Sequence, residues 1–254
     1  MKEDLPITIR CEECHETVEK EHRFCPHCGA LLPGQEETIN IFNNRSLRQV
    51  FLFYFVYLFI CLFVKHARWL KSYDQIFWVE IILGMITLRF AWLNRKEILP
   101  VIRFNNFKWH LLFGIIGFAV LASGIVSITM QQVNVTLFNT DVNYFSAYRL
   151  YYFPIALMIY SIALVPAIFE ELAFRGVLYN YCSNFLEDKL VVSVTAFLFA
   201  IMHLSLLSLI WLIPFGFFIG HLRRKYNTLW YGIAFHFVFN LTAVLMDLYR
   251  GEFL

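Results

Sequence analysis

From position 190 to position 222 the chain contains no Asp, Glu, Lys or Arg. A helix crosses a bilayer with about 20 apolar residues. The stretch is therefore too long for one span and fits two, folded back near 204–208 as a helical hairpin. The rest of the chain is of the same kind: 59% of its 254 residues are hydrophobic, 16% are charged, and 28 are Phe. Soluble domains carry about 25% charged residues. The apolar runs predict an all-α polytopic membrane protein of about seven transmembrane helices. They lie near 49–64, 75–93, 109–130, 150 through Glu170, the two halves of 190–222, and 229–249. The lipid bilayer is thus a partner, and a net charge of +2 gives no ground for expecting nucleic acid. The N-terminus is too polar for a cleavable signal peptide.

The polar N-terminus has its own logic. Cys11, Cys14, Cys25 and Cys28 form two Cys-x-x-Cys pairs, whereas Cys61 and Cys182 are isolated. Two such pairs in a short polar segment read as a tetrahedral zinc site of four thiolates. Pro26 stiffens the second turn, and Gly29 is free to take positive φ. His15, His22 and His27 lie close by, but four thiolates already close the shell, so they read as surface residues. Two disulfides in an exported head are the alternative. The expected domains are a zinc ribbon over 1–34, a polar linker over 35–48 with Pro33-Gly34 before it, and a membrane domain over 49–254. A ribbon this small has no core without its metal.

Persistent thiolates point to a reducing compartment, which places the head in the cytosol. Basic residues favour the cytosolic side of membrane proteins. With the head inside, Arg45, Arg48, Arg95, Lys96, Arg103 and Lys108 fall inside, as do Arg223, Arg224 and Lys225. The loop 131–149 falls outside and carries only Asp141 and Arg149. The loop of Lys65, Arg68 and Lys71 disagrees. On this orientation Glu170 lies toward the cytosolic end of the fourth span.

Three short patterns place polar groups in this oily background. They are Glu170, Glu171 and Arg175; then Phe199 with His203; then His236 with Asn240. An uncompensated charge in hydrocarbon costs about 2.5 kcal/mol or more, so such groups face one another or a wet cavity. Residues four apart share a helix face, which pairs Glu171 with Arg175 and His236 with Asn240. Glu170 is turned by about 100° from Glu171. One acid is then held ionised by Arg175 while the other faces the cavity as a general base. An imidazole and an amide suit a developing oxyanion. His203 either shares a water with a glutamate or joins His236 and a glutamate around a second zinc. Pro166 removes a backbone hydrogen bond four residues before Glu170 and should kink the helix, leaving a free carbonyl.

Each pattern alone has a plainer reading: an interfacial cap for the paired Glu, and helix-to-helix hydrogen bonds for His203, His236 and Asn240. Glu80, Arg89 and Asp247 read as span-end or bundle residues, and His66, His110 and His221 as boundary residues.

The ordered set Glu-Glu-x-x-x-Arg, Phe-x-x-x-His and His-x-x-x-Asn, spread over 166–242, resembles the signature of the CPBP family. This is the CAAX-protease and bacteriocin-processing group, also called Abi, of intramembrane endopeptidases. The resemblance implies cleavage of a peptide or protein substrate reached within or at the membrane. It implies that Glu170 activates water, that His203 helps to bind it, and that Glu171 and Arg175 support or orient. It implies that His236 and Asn240 stabilise the tetrahedral oxyanion. The family carries both a metalloprotease label and a metal-free glutamate mechanism; water activation by Glu and His is ranked ahead of a catalytic zinc. The ribbon resembles heads of some bacterial members, which implies a bacterial cell membrane. Two other classes stand beside this one: a non-catalytic scaffold or bacteriocin-immunity protein that docks through its ribbon, and a small proton-relaying transporter.

Overall fold

The protein is described by a computed structural model covering residues 8–19, 25–30, 32, 40–67, 72–104, 107–140 and 143–252. It divides into two compact units, Met1–Asn44 and Arg45–Leu254.

In the first unit β1 (Thr8–Arg10) pairs antiparallel with β2 (Thr17–Glu19), Ile9 opposite Val18. The Cys11 and Cys25 turns repeat one pattern. His15 N donates to Cys11 O and Gly29 N to Cys25 O, while Cys11 N and Cys25 N reach on to Glu16 O and Ala30 O. Each turn ends on a left-handed residue, His15 at φ 61° and Gly29 at φ 78°. Buried Cys11, Val18, Cys25 and Leu32 make up a core too small to hold the unit alone. His15 and His27 are exposed. His22, Pro33 and Gly34 lie outside the described residues.

The second unit is all helix among its described residues. Its elements are α1 (Arg45–His66), α2 (Tyr73–Leu93), the short α3 (Arg95–Ile102), α4 (Trp109–Phe138), α5 (Pro154–Cys182), α6 (Asp188–Met202), α7 (Leu209–Tyr226) and α8 (Trp230–Glu252). Five of these, α1, α2, α4, α5 and α8, are long and apolar enough to cross a membrane. The five are roughly consistent with the expected count of about seven. The hairpin does fold back at 203–208, but α6 has 15 residues and α7 has 18. At 1.5 Å per residue α6 reaches about 22 Å, short of a hydrocarbon core of about 30 Å. His203, at the end of α6, is exposed. The expected 131–149 loop is also shortened, because α4 continues to Phe138; Asp141 lies outside the described residues. The short α3 has no apolar period long enough to announce it.

The hairpin is tight because Gly216 and Gly220, four apart on α7, face α6. A Cβ on Gly216 would stand 3.0 Å from Ala196 Cα, and one on Gly220 3.0 Å from Val192 Cγ1. Small residues at this spacing let two backbones approach. Across the bundle α8 packs along both α4 and α5, and Ser123 Oγ donates to Phe239 O at 2.6 Å.

The helix α5 is not regular. Two π-helical segments, Ile159–Leu164 and Leu172–Leu178, flank an α-helical piece, Val165–Glu171, that carries both glutamates. Wide turns of this kind recur at functional sites. Pro166 has no N–H to give Ile162 O, four residues earlier. That carbonyl accepts instead from Asn240 Nδ2 at 2.8 Å.

Candidate active site

A cavity of about 840 Å³ runs into the bundle among α4, α5, α6, α7 and α8. Glu170, His236 and Asn240 line it with Phe199, Phe215 and the exposed His203. Its outer wall includes Asn143, Tyr144, Asp247 and Arg250.

The two glutamates occupy different surroundings. Glu171 is fully buried. Its Oε1 accepts from Arg175 Nη1 at 3.0 Å and lies 2.9 Å from His236 Nδ1. A carboxylate can only accept, so the facing imidazole nitrogen is the protonated one. His236 Nε2 is thereby turned toward Glu170, whose Oε2 lies 3.9 Å away. Glu170 is 29% exposed, and no protein donor reaches its Oε2. That oxygen is itself buried, so the exposure of Glu170 belongs to the rest of its side chain.

Arg175 is buried with Glu171, and an isolated buried charge costs several kcal/mol. Three partners compensate it: Glu171, Gly216 O at 3.3 Å, and the face of Phe199, 4.4 Å from its Cζ. Phe199 also carries the imidazole ring of His203 at 4.8 Å and faces that of His236 at 6.0 Å. The phenylalanine of Phe-x-x-x-His thus braces the arginine and both histidines. His203 caps α6 with Nδ1 2.9 Å from Phe199 O, which leaves Nε2 for the cavity.

Asn240 lines the cavity and also bridges helices, since one amide N–H is taken by Ile162 O. Asp247 is buried; its Oδ2 accepts from Phe145 N at 3.0 Å and its Oδ1 lies 3.6 Å from Arg250. At the same outer end Tyr148 bonds Ser161 Oγ at 2.7 Å. Burial, helped by nearby Glu80, raises the Tyr148 phenol above its ordinary value, with Ser161 acting against it. Glu80 is partly buried, with Oε2 unpaired, and Arg89 is exposed. His66, His110 and His221 are exposed.

Sequence reasoning missed three supports. Gly232 lies four residues before His236 and so on the same face. A Cβ there would stand 2.9 Å from Glu171 Oε2. Gly216 supplies both the close approach of α6 and a carbonyl for Arg175. Arg223, read as a topology signal, is buried: Nε donates to Arg175 O at 3.0 Å, Nη2 to Asn180 Oδ1 at 3.0 Å and Nη1 to Asn227 Oδ1 at 2.5 Å. The glycine spacings were readable; the turn of Arg223 back toward α5 was not.

The cysteines fit a metal. Cys11 Sγ is 3.6 Å from Cys28 Sγ, and Cys14 Sγ is 3.5 Å from Cys25 Sγ. A zinc–sulfur bond of about 2.3 Å gives a tetrahedral edge of about 3.8 Å, whereas a disulfide needs about 2.05 Å. All four are free thiols with ligand atoms within 4.8 Å of one another. Their protons are unevenly held. Against its own burial, Cys25 is lowered to about 6 by the amides of Cys28 and His27 and by neighbouring thiols. Cys14 is pushed up to about 12; the Glu16 amide opposes the rise, which burial and three thiols supply. This is a set arranged for a dication. Among the described residues it is the one group of three or more such donors so close together. Glu170, His203 and His236 share a cavity but not that spacing.

No curated protein and no solved structure matches the chain. Residues 152–242 match the family model described as type II CAAX prenyl endopeptidase Rce1-like. That segment holds Glu170, Glu171, Arg175, His203, His236 and Asn240. Over residues 152–242, less than half of its length, the chain is thus similar to the type II CAAX prenyl endopeptidase Rce1-like family, and a four-cysteine group precedes that segment.

Proposed function

We propose that this protein is an intramembrane endopeptidase in which Glu170 activates the attacking water. The observation that carries this reading is a buried Glu170 oxygen without a protein donor, 3.9 Å from His236 Nε2, on a residue that lines the cavity. The similarity of residues 152–242 to the Rce1-like family supports the reaction class; the roles below are the proposal.

Glu171 and Arg175 fix the ring of His236. With His236 protonated, two carboxylates face one guanidinium and one imidazolium, so the buried set is neutral overall. Glu170 takes a proton as the water oxygen bonds to the scissile carbonyl carbon. The carbonyl electrons move to oxygen, and the oxyanion meets His236 Nε2–H and the second N–H of Asn240. His203 Nε2 holds the water on its other side. The C–N bond then breaks, and Glu170 returns its proton to the departing amine. The thiol head takes a structural zinc and stands apart from the chemistry.

The test is peptide hydrolysis by protein reconstituted in vesicles. The probes are a quenched fluorescent peptide with a lipidated Cys-aliphatic-aliphatic-any terminus and its unlipidated counterpart. Glu170→Gln should lower cleavage by about 10²–10⁴-fold while the helical spectrum stays unchanged. Cleavage at the parental rate in that variant rules the mechanism out. A scaffold or immunity protein would cleave neither peptide and would be indifferent to the change.

A further inference from the structure

We propose that Lys65, in the last turn of α1, is a positioning residue for His203. Its ammonium holds the backbone turn that carries the imidazole and acts on the reaction only through that ring. The link to catalysis rests on the peptidase reading; the hold on the turn does not.

The end of α6 is backbone that needs support. The last carbonyls of a helix have no partner within it. Here the helix closes with two tight bonds, His203 N to Ala200 O at 3.3 Å and Leu204 N to Ile201 O at 2.9 Å. The chain then turns through Leu204 at φ 53°. Helices often end on a left-handed residue, but that residue is usually glycine. A side chain there brings Cβ too close to the following carbonyl oxygen. A leucine keeps such a conformation only where its surroundings hold it. Leu204 O accepts from Lys65 Nζ. A cation at this place also meets the negative end of the α6 dipole.

The lysine arrives from a fixed direction. Tyr54 and Lys65 lie 11 residues apart on α1, about three turns, so they share a face. Buried Tyr54 donates its Oη proton to Leu198 O at 3.2 Å. The helix α1 is thus tied to α6 before His203 and to the turn just after it. Beyond that turn Ser208 Oγ donates to Ser205 Oγ at 2.8 Å, and both serines line the cavity with His203.

His203 depends on this turn more than its partners do. Glu171 and His236 are buried and hold one another. His203 is exposed, and its ring rests on Phe199 of its own helix, through Phe199 O and the phenyl face. Its direction therefore follows the backbone at the end of α6, which Lys65 reaches from another helix. Lys65 lies before the segment 152–242 that matches the family, and its charge had no place in the pattern of basic loops.

The experiment measures peptide cleavage by the full chain in vesicles and amide hydrogen exchange of the same chain in detergent. The amides followed are His203, Leu204 and Ser208, each hydrogen bonded in the turn. We expect Lys65→Met to lower kcat by up to about 10²-fold at unchanged KM and to speed exchange at these amides. Lys65→Arg, which restores a donor for Leu204 O, should bring both back toward the parent. In a His203→Ala chain, Lys65→Met should cost no further rate, because two residues acting through one ring are not additive. An equal loss in both backgrounds, or a parental kcat in Lys65→Met, overturns the proposal. Parental exchange in Lys65→Met overturns it whatever the rate. If the parent cleaves no peptide, the peptidase reading fails, while exchange still decides whether Lys65 holds the turn.

Discussion

Gly232 stands opposite the carboxylate of Glu171: a Cβ at Gly232 would come within 2.9 Å of Glu171 Oε2 and 2.7 Å of Ile219 Cγ2. The glutamate that orients His236 is therefore seated against bare backbone of the helix that carries that histidine. Gly232→Ala must push Glu171 or Ile219 aside, and overpacking of this kind costs about 1–3 kcal/mol. A shift of about 1 Å in a positioned group costs about 10²-fold in rate. We expect Gly232→Ala to fold and to cleave about a hundredfold more slowly. Adding Ile219→Ala should restore the melting temperature but not the rate, since the contact with Glu171 remains. Recovery of both would make Gly232 a packing residue only.

Asn240 and Pro166 are linked through one carbonyl. The proline withholds the N–H that Ile162 O would receive, and the Asn240 amide supplies one at 2.8 Å. Removing a partner from a buried acceptor costs about 1–3 kcal/mol. Asn240→Ala should lose stability of that order in denaturant unfolding in detergent. In a Pro166→Ala chain, which regains the backbone N–H, the same change should cost less. Residues sharing a partner couple by about 0.5–3 kcal/mol. Strict additivity of the two changes would show that the carbonyl is not what connects them.

The sequence spoke clearly where one helix carried the information. Glu171 with Arg175, and His236 with Asn240, are single-helix relations at a spacing of four, and an unbroken apolar stretch has to be membrane helix. What it left open depended on a second chain segment. Nothing in Pro166 names Asn240 as the donor for the stranded carbonyl. Nothing near Arg223 says that it turns inward to Arg175 O, when its neighbours Arg224 and Lys225 suit a charged loop. The shortness of α6 was hidden because His203 and the turn after it are as uncharged as the helix itself. The π-helical turns of α5 depend on how its carbonyls are shared, which residue types do not encode.

The head makes a separate prediction. Thiolate ligands must lose their protons to bind, so metal affinity falls as pH falls. Purified protein should hold one zinc per chain and release it on acidification or to a chelator. Cys25→Ser should release the zinc and unfold the head while the helical spectrum and peptide cleavage persist. Metal content and cleavage are measured on the same sample. A zinc that survives Cys25→Ser but is lost with His236→Ala would place a second ion in the cavity and displace the shared-water mechanism.

Arg223 gives the test of how the site is held from below. Its guanidinium satisfies Arg175 O, Asn180 Oδ1 and Asn227 Oδ1 together, and lies 4.8 Å from the Tyr179 ring. Three acceptors, two on α5 and one in the turn after α7, are thus joined by one side chain whose donors form a rigid fork. Arg223→Ala leaves Arg175 O and the half-buried Asn180 unpaired, a loss of about 1–3 kcal/mol for each one that water does not reach, whereas Asn227 is exposed to solvent. We expect it to unfold at markedly lower temperature. Arg223→Lys keeps the charge but directs fewer donors, so it should recover part of the stability. Its cleavage should show a lowered kcat at nearly unchanged KM, because Arg175 moves with its backbone while the cavity mouth does not. A lysine variant that matches the parent in both stability and kcat would reduce Arg223 to one more positive charge beside Arg224 and Lys225.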